Sequence, residues 1–384
     1  MSKWILLSKT LHLQRRPSLR ERFQLKKFYR ISDYQNSNVS EFPHLVSLGY
    51  DEILAKQVQG NDVTLSLLAH LDGTKSLGEI CDILSKAHKI SEAEIFLQVR
   101  ALIDAGLLLP EHKSELLSTE EIIRYDRHLL FYSIFTENPI WHQEKLAKAT
   151  VAILGVGGIG SWVAYNLACC GVGRLILIDS DFIETSNLTR QILYGPSDVG
   201  KSKIEVAVNR LRNFNPFINV IGIEKKIQNY GDLDEILPEI DFAGIDFIIQ
   251  SADKPEKIHF WLDEFAYRRK ISYAFAGYIE ILGVVGPIVI PDKTSCLMCA
   301  EAKIHDFENA DLKAIQDRFQ APSFGPINSI VSSFVVLETI KLLLGMEESQ
   351  LLNQRLTYNF LKNQIDYEPY PKNPNCTQCG RKND

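Results

Sequence analysis

Arg190 and Lys203, with Asn187 and Gln191 close to the arginine, are the side chains of this sequence best suited to handling phosphate. A guanidinium offers a planar fork of donors and a lysine a point charge, while the two amides can orient an attacking or departing oxygen. They follow a glycine-rich turn (Gly155, Gly157, Gly158 and Gly160) and two acids, Asp179 and Asp181. A carboxylate attacking a nucleotide phosphate joins two anions, so it needs cations aimed at the charge that develops. A nicotinamide cofactor would use the glycines and one acid, and would leave Asn187, Arg190, Gln191 and Lys203 unexplained. Taken singly, each of these residues fits a solvated polar loop. As a set at this spacing they point to a nucleotide that is consumed.

The elements that must position these residues form a βαβ unit. Val151 to Leu154 is a short apolar run; Ile159, Val163 and Leu167 then recur at helical spacing, and Gly171 and Gly173 close that helix. Leu175 to Ile178 is a second apolar run ending in Asp179. Glycines let main-chain N–H groups approach a phosphate at the helix N-terminus, and Asp179, nineteen residues past Gly160, stands where an acid accepts ribose hydroxyls. Phe247 to Ile249 reads as a buried strand with Asp253 beyond its carboxyl end. Ligands of open parallel sheets bind at that edge, and a carboxylate there suits a Mg²⁺ bridging phosphates; a turn-forming Asp before Lys254-Pro255 is the alternative.

Four of the seven cysteines fall in two pairs, Cys296-Leu-Met-Cys299 and Cys376-Thr-Gln-Cys379. Four thiolates match a closed structural Zn²⁺ site, with a redox pair as the alternative. The 76 residues between the pairs exceed a compact zinc ribbon, so the metal would staple the C-terminal segment back onto its domain. Cys169, Cys170 and Cys81 read as small apolar fillers, and no cysteine has the cationic surroundings of a thioester nucleophile.

Gly-Val-Gly-Gly-Ile-Gly, Asp179-Ser-Asp181, Ser186-Asn-Leu-Thr-Arg-Gln191 and Val199-Gly-Lys-Ser-Lys203 together resemble the ubiquitin-activating-enzyme superfamily, adenylyltransferases of the ThiF and MoeB type, over about residues 120–380. The resemblance implies ATP as the nucleotide and an acyl-adenylate with pyrophosphate as products. It assigns the ribose to Asp179, phosphate handling to Asn187, Arg190, Gln191 and Lys203, Mg²⁺ to Asp253, and Zn²⁺ to the four cysteines. Arg124-Tyr125-Asp126-Arg127 resembles a segment whose second arginine enters a neighbouring subunit's site, which implies a homodimer with Arg127 acting in trans. Without the resemblance, both arginines read as surface ion pairs. Phe275-Ala-Gly-Tyr278, Gly286-Pro287 and Asp317-Arg318-Phe319 resemble the peptide-modifying branch, enzymes such as those of microcin C and pantocin A synthesis. Residues 303–325 read as a mobile loop, which in the family crosses the substrate channel.

The expected fold is α/β, a Rossmann-like adenylation domain with a mostly parallel sheet (116–384) behind a small winged-helix peptide-recognition domain (1–115). Strands Val220–Ile223, Phe247–Ile249, Tyr273–Ala276 and Val284–Ile290 alternate with helical stripes such as Ile204, Val208 and Leu211. In the first domain, Phe23 to Ile31 alternates like a strand, Val63 to Leu71 is helical, and Asp72-Gly73-Thr74 reads as a turn. Ile80, Ile83 and Leu84 mark a second helix. Ser91 caps a third carrying Ile95, Val99 and Leu102, and Leu107 to Leu109 follow as a strand. Ser118 and Glu121 form a capping box for the next helix.

A winged helix often binds nucleic acid, but Glu92, Glu94 and Asp104 against Arg100 would repel phosphate, and the net charge is −6. Basic residues from Arg15 to Lys27 read as a solvated face. Peptide binding by strand addition fits better, with a packing module as the alternative. No uninterrupted apolar run reaches the ~18 residues of a membrane span, and Trp4 to Leu7 is short for a signal-peptide core, so a cytoplasmic setting is expected.

The expected function is ATP-dependent adenylation of a carboxylate, at a side chain or the C-terminus, on a ribosomally synthesised precursor peptide. That activation would drive condensation or tagging in antibiotic synthesis. The alternatives are adenylation of the C-terminus of a sulfur-carrier protein and a non-catalytic scaffold that presents peptide.

Overall fold

The computed structural model describes residues 22–25, 31–35, 44–48, 56–110, 113–136, 138–236, 244–300, 322–346 and 349–380. Its internal contacts divide the chain into two units, Met1–His142 and Gln143–Asp384.

In the first unit, strands β1 (Arg22–Leu25), β2 (Ile31–Gln35), β3 (His44–Leu48) and β4 (Lys56–Gly60) precede helix α1 (Asp62–His70). Strand β5 (Asp72–Ser76), helices α2 (Leu77–His88) and α3 (Glu92–Asp104), and strand β6 (Leu108–Pro110) follow. β1 pairs antiparallel with β5 and β6, and β2, β3 and β4 make a second antiparallel sheet. All three helices start on capping boxes, at Asn61, Ser76 and Ser91, which satisfy N–H groups the first turn leaves unpaired. Leu67, Leu77, Ile80, Leu84, Ile95 and Val99 are fully buried between the helices, each contributing about 1.5–3 kcal/mol of transfer free energy.

Asp72-Gly73-Thr74, expected as a turn, lies in β5, with Gly73 at φ +83°. The Asp72 carboxylate accepts from the main-chain N–H and hydroxyl of Thr74, so turn-like chemistry operates inside a strand. Helices α4 (Thr119–Arg124), on the expected Ser118–Glu121 box, and α5 (Asp126–Tyr132) close the unit.

Helix α6 (Pro139–Lys148) spans the division and leads into the second unit. Its order is β7 (Thr150–Leu154), α7 (Gly158–Cys170), β8 (Arg174–Asp179), α8 (Lys203–Phe214), β9 (Asn219–Glu224), α9 (Tyr230–Glu235), β10 (Phe247–Gln250) and α10 (Ile258–Arg268). Then come β11 (Ser272–Ile279), β12 (Leu282–Val289), α11 (Gly325–Leu344), β13 (Gln354–Asn359) and β14 (Gln364–Pro369). One eight-stranded sheet runs β14-β13-β12-β11-β10-β7-β8-β9. The five strands from β11 to β9 are parallel, and β12, β13 and β14 add antiparallel.

β7 and β10 are buried at every residue, as parallel strands covered on both faces require. Strand order reverses between β7 and β10, so their carboxyl ends form the crevice where such sheets bind ligands. α11 has the length and hydropathy to span a membrane, yet half of its apolar window is buried, and it packs on α7, β11 and β12. Asp317-Arg318-Phe319 and most of the loop expected at 303–325 lie outside the described residues.

Candidate active site

Gly155 leaves β7 at φ +88°, and a Cβ on it would stand 2.8 Å from the main-chain nitrogen of Ala252. The turn after β7 and the loop after β10 are therefore in backbone contact, which brings exposed Asp253 to the glycine turn. A Cβ on Gly160 would lie 1.8 Å from the Gly155 carbonyl oxygen, so the turn closes on itself only with glycine there. Gly157 precedes α7 without a side-chain cap, and the N–H groups of the first turn remain available to an anion.

Three side chains hold the turn in shape. The Asp179 carboxylate accepts from the Val156 N–H at 2.6 Å with one oxygen and from the Asp181 N–H at 2.9 Å with the other. The Ser251 hydroxyl donates to the Gly155 carbonyl at 2.8 Å. Buried Tyr194 donates to the Val156 carbonyl at 2.8 Å, and burial, then the charges of Asp179 and Asp181, push its phenol well above the usual value. Asp179 thus orders the backbone of the glycine turn, a role beyond the ribose contact expected of it.

The phosphate-handling set divides into two groups. Asn187 is buried and caps its own 3₁₀ turn, its Oδ1 accepting from the Glu184 N–H at 3.1 Å. That turn carries Arg190, whose guanidinium donates to the Ser186 carbonyl at 2.7 Å and whose own carbonyl accepts from Trp162 Nε1. Arg190 Cδ lies 3.6 Å from the Cβ position of Gly158, and Gln191 Nε2 lies 3.8 Å from that of Gly157, so both reach the glycine turn. Lys203 sits elsewhere, buried at 7% side-chain exposure and donating at 2.9 Å to Asp181, which is 67% exposed. Its ammonium keeps two further protons for a ligand. Arg127 is exposed on α5, in the first unit.

Sequence reasoning missed Asn328, in the first turn of α11. Its Nδ2 stands 2.5 Å from the Cβ position of Gly158 and donates to Ser323 Oγ. Its Oδ1 is one of three buried oxygens around the turn that lack a hydrogen-bond partner among the described residues, with Gln191 Oε1 and Ser161 Oγ. Buried polar atoms are almost always paired, so these mark capacity left for a ligand or water. A cavity of about 370 Å³ opens between Arg190, Gln191, Trp162 and the start of α11 at Gly325, where a helix N-terminus favours an anion. A lone Asn in an apolar helical run gives no pattern to read. His259, on α10 just past the Asp253 loop, was also missed; burial lowers its pKa, while the Asp253 and Glu256 carboxylates pull the other way.

The four cysteines converge as expected. All are buried, with Sγ atoms within 4.8 Å of one another. Sγ pairs lie at 4.0 Å (Cys296–Cys299), 3.6 Å (Cys296–Cys376) and 3.1 Å (Cys299–Cys379), around the ~3.8 Å edge of a tetrahedron with 2.3 Å Zn–S bonds. The Asn373 N–H points to Cys299 Sγ at 3.4 Å, as at thiolates. Burial, followed by the Asp263 charge, pushes the Cys296 thiol up, and a dication removes that penalty. The donor set fits Zn²⁺. Of the others, burial raises Cys81 to about 11 and Cys170 to about 12.

Residues 125–379 match the ThiF family, and the chain belongs to it. It is an adenylyltransferase with the ATP-binding architecture of that family. It is 28% identical to the sulfur carrier protein adenylyltransferase of Thermus thermophilus, over 68% of this chain and 92% of that one. It is likewise 28% identical to the molybdopterin-synthase adenylyltransferase of Salmonella typhimurium, over 69% and 99%. Among solved structures it is similar to Escherichia coli MccB, the microcin C7 biosynthetic enzyme, crystallised with MccA-N7isoASN, at 29% identity and a TM-score of 0.70 over 94% of this chain and 99% of that one. It is also similar to PaaA, at 26% identity and a TM-score of 0.68, over 89% and 99%.

Proposed function

We propose that this enzyme adenylates a carboxylate on a ribosomally made precursor peptide, releasing pyrophosphate, so that a nearby nucleophile can displace AMP. Coverage carries this reading. The sulfur-carrier and molybdopterin-synthase enzymes match 68–69% of the chain, whereas MccB, crystallised with its peptide MccA, matches 94% of it and 99% of itself. Nearly all of the chain thus has a counterpart in MccB, well beyond the two thirds that the shorter adenylyltransferases match. In this proposal residues 1–115 are a winged-helix reader of the peptide, which adds a strand to an edge such as β5.

ATP lies with its phosphates on the glycine turn and its ribose toward Asp179. Arg190 and Gln191 face the reacting phosphate, Asn187 fixes the turn that aims them, and Lys203 adds charge from its place beside Asp181. Asp253 would hold Mg²⁺, which when bound neutralises phosphate charge. Zn²⁺ at the four cysteines is structural. The working unit is a homodimer in which Arg127 serves the site of a second copy.

The sulfur-carrier reading remains as the second, because the Thermus thermophilus relative is a sulfur carrier protein adenylyltransferase. One experiment tests both. The protein is incubated with ATP and, separately, the small peptide encoded beside its gene and a ubiquitin-like carrier, with ATP–pyrophosphate exchange and product mass as readouts. Exchange driven by the peptide, with a gain of AMP-derived mass or a loss of water, is the expected result. Exchange driven by the carrier alone overturns the proposal.

A further inference from the structure

Asp263, on α10, is fully buried and lies directly beneath the cysteine cluster. Its Oδ1 accepts from the main-chain N–H of Leu297 at 2.8 Å, inside the first Cys-x-x-Cys knuckle. Its Oδ2 accepts from Gln378 Nε2 at 2.6 Å, inside the second, and the same amide nitrogen reaches the Asp263 carbonyl at 3.3 Å. Tyr273, on β11, donates its hydroxyl to Oδ1 at 2.5 Å. Two knuckles far apart in the chain therefore share one acceptor, on a helix that belongs to neither. A carboxylate has no place beside four thiolates unless something offsets its charge. Here donors surround it, and the cluster has room for a dication.

We propose that Asp263 is a positioning residue of the metal site: it holds both knuckles in register, so that the four sulfurs converge before the cation arrives. Partners behind the ligands commonly orient metal sites in this way. The inference rests on the reading of the cluster as a zinc site and adds to it a determinant that no cysteine spacing reveals.

Full-length protein stripped of metal is titrated with zinc against a chromogenic chelator, and cobalt(II) uptake is followed by its thiolate charge-transfer absorption. Asp263→Asn sets an amide nitrogen against Gln378 Nε2, donor against donor; if Gln378 turns its amide, it loses the Asp263 carbonyl instead. Zinc affinity should fall about tenfold to a hundredfold, as when such partners are removed elsewhere. Adding Gln378→Glu supplies an acceptor for the new amide and should recover most of the loss. Gln378→Ala, at a residue less buried than Asp263, unties the second knuckle alone and should weaken zinc less. Unchanged affinity in folded Asp263→Asn together with Gln378→Ala overturns the role of Asp263, as does a double variant no tighter than Asp263→Asn. A wild-type protein that takes up no metal overturns the zinc reading itself.

Discussion

The glycine-turn crevice and the cysteine cluster sit on one sheet and handle polar groups in opposite ways. In the cluster, each oxygen of the buried Asp263 carboxylate has a donor, and the four sulfurs converge on one another, with the Asn373 N–H on Cys299 Sγ. In the crevice, Gln191 Oε1, Asn328 Oδ1 and Ser161 Oγ are buried without a partner among the described residues, Asp253 is exposed, and Arg190 spends one N–H on Ser186. The first pattern is that of a closed structural site. The second is that of a site whose hydrogen bonding is completed by what enters it. Ser295 Oγ, next to Cys296, is also unpaired among the described residues, so what separates the two regions is the gathering of three such atoms around one turn against a single one beside the sulfurs.

The sharpest test of the contrast is to remove a cation from the open site. Arg190→Ala should lower ATP–pyrophosphate exchange by about three orders of magnitude, as when a guanidinium is withdrawn from phosphoryl charge, and should leave the melting temperature unchanged. If exchange survives or the protein melts early, Arg190 is a structural group and the crevice is not the open site described. A smaller effect is expected at Asn328. Asn328→Ala should cut exchange about tenfold, which is ~1.4 kcal/mol and within the worth of one ordinary hydrogen bond accepted from a ligand N–H or O–H. An unchanged rate would assign its unpaired oxygen to water.

The glycine turn, Asp179, Arg190 and the cysteine pairs were legible because their chemistry needs particular residue types at close spacing. The contact that brings Asp253 to the turn was legible only as an edge of the sheet, since Gly155 and Ala252 are 97 positions apart. β13 and β14 gave no signal. Gln364–Pro369 forms the sheet's edge, where Gln364, Ile365, Asp366 and Tyr367 are all exposed and no burial imposes alternation, and Gln354–Asn359 beside it buries only the adjacent pair Leu356 and Thr357. The Asp72–Thr74 segment carries turn chemistry that pairing with β1 overrides. Tyr194, Asp263 and Asn328 act through contacts distant in sequence, and a single polar residue among apolar ones looks the same whether it supports a site or merely packs.

The finest distinction between the two regions is in their response to acid. His259 stands beside the Asp253 loop, and burial lowers its pKa from the ordinary 6.5 despite the carboxylates of Asp253 and Glu256. Below about pH 6.5 the unfolded chain therefore binds a proton that the folded protein refuses. The stability contributed by the neutral imidazole is complete above that pH and is lost as pH falls through the lower folded-state value. Melting curves from pH 7.5 to 5.5 should decline less steeply in His259→Gln than in wild type. Mg²⁺ held at Asp253 would oppose the protonated ring, so stabilisation by Mg²⁺–ATP should shrink toward pH 5.5 in wild type and less in the variant. Identical pH slopes for the two proteins with Mg²⁺–ATP present would place the cation away from Asp253, and the open site would then need another acid to hold it.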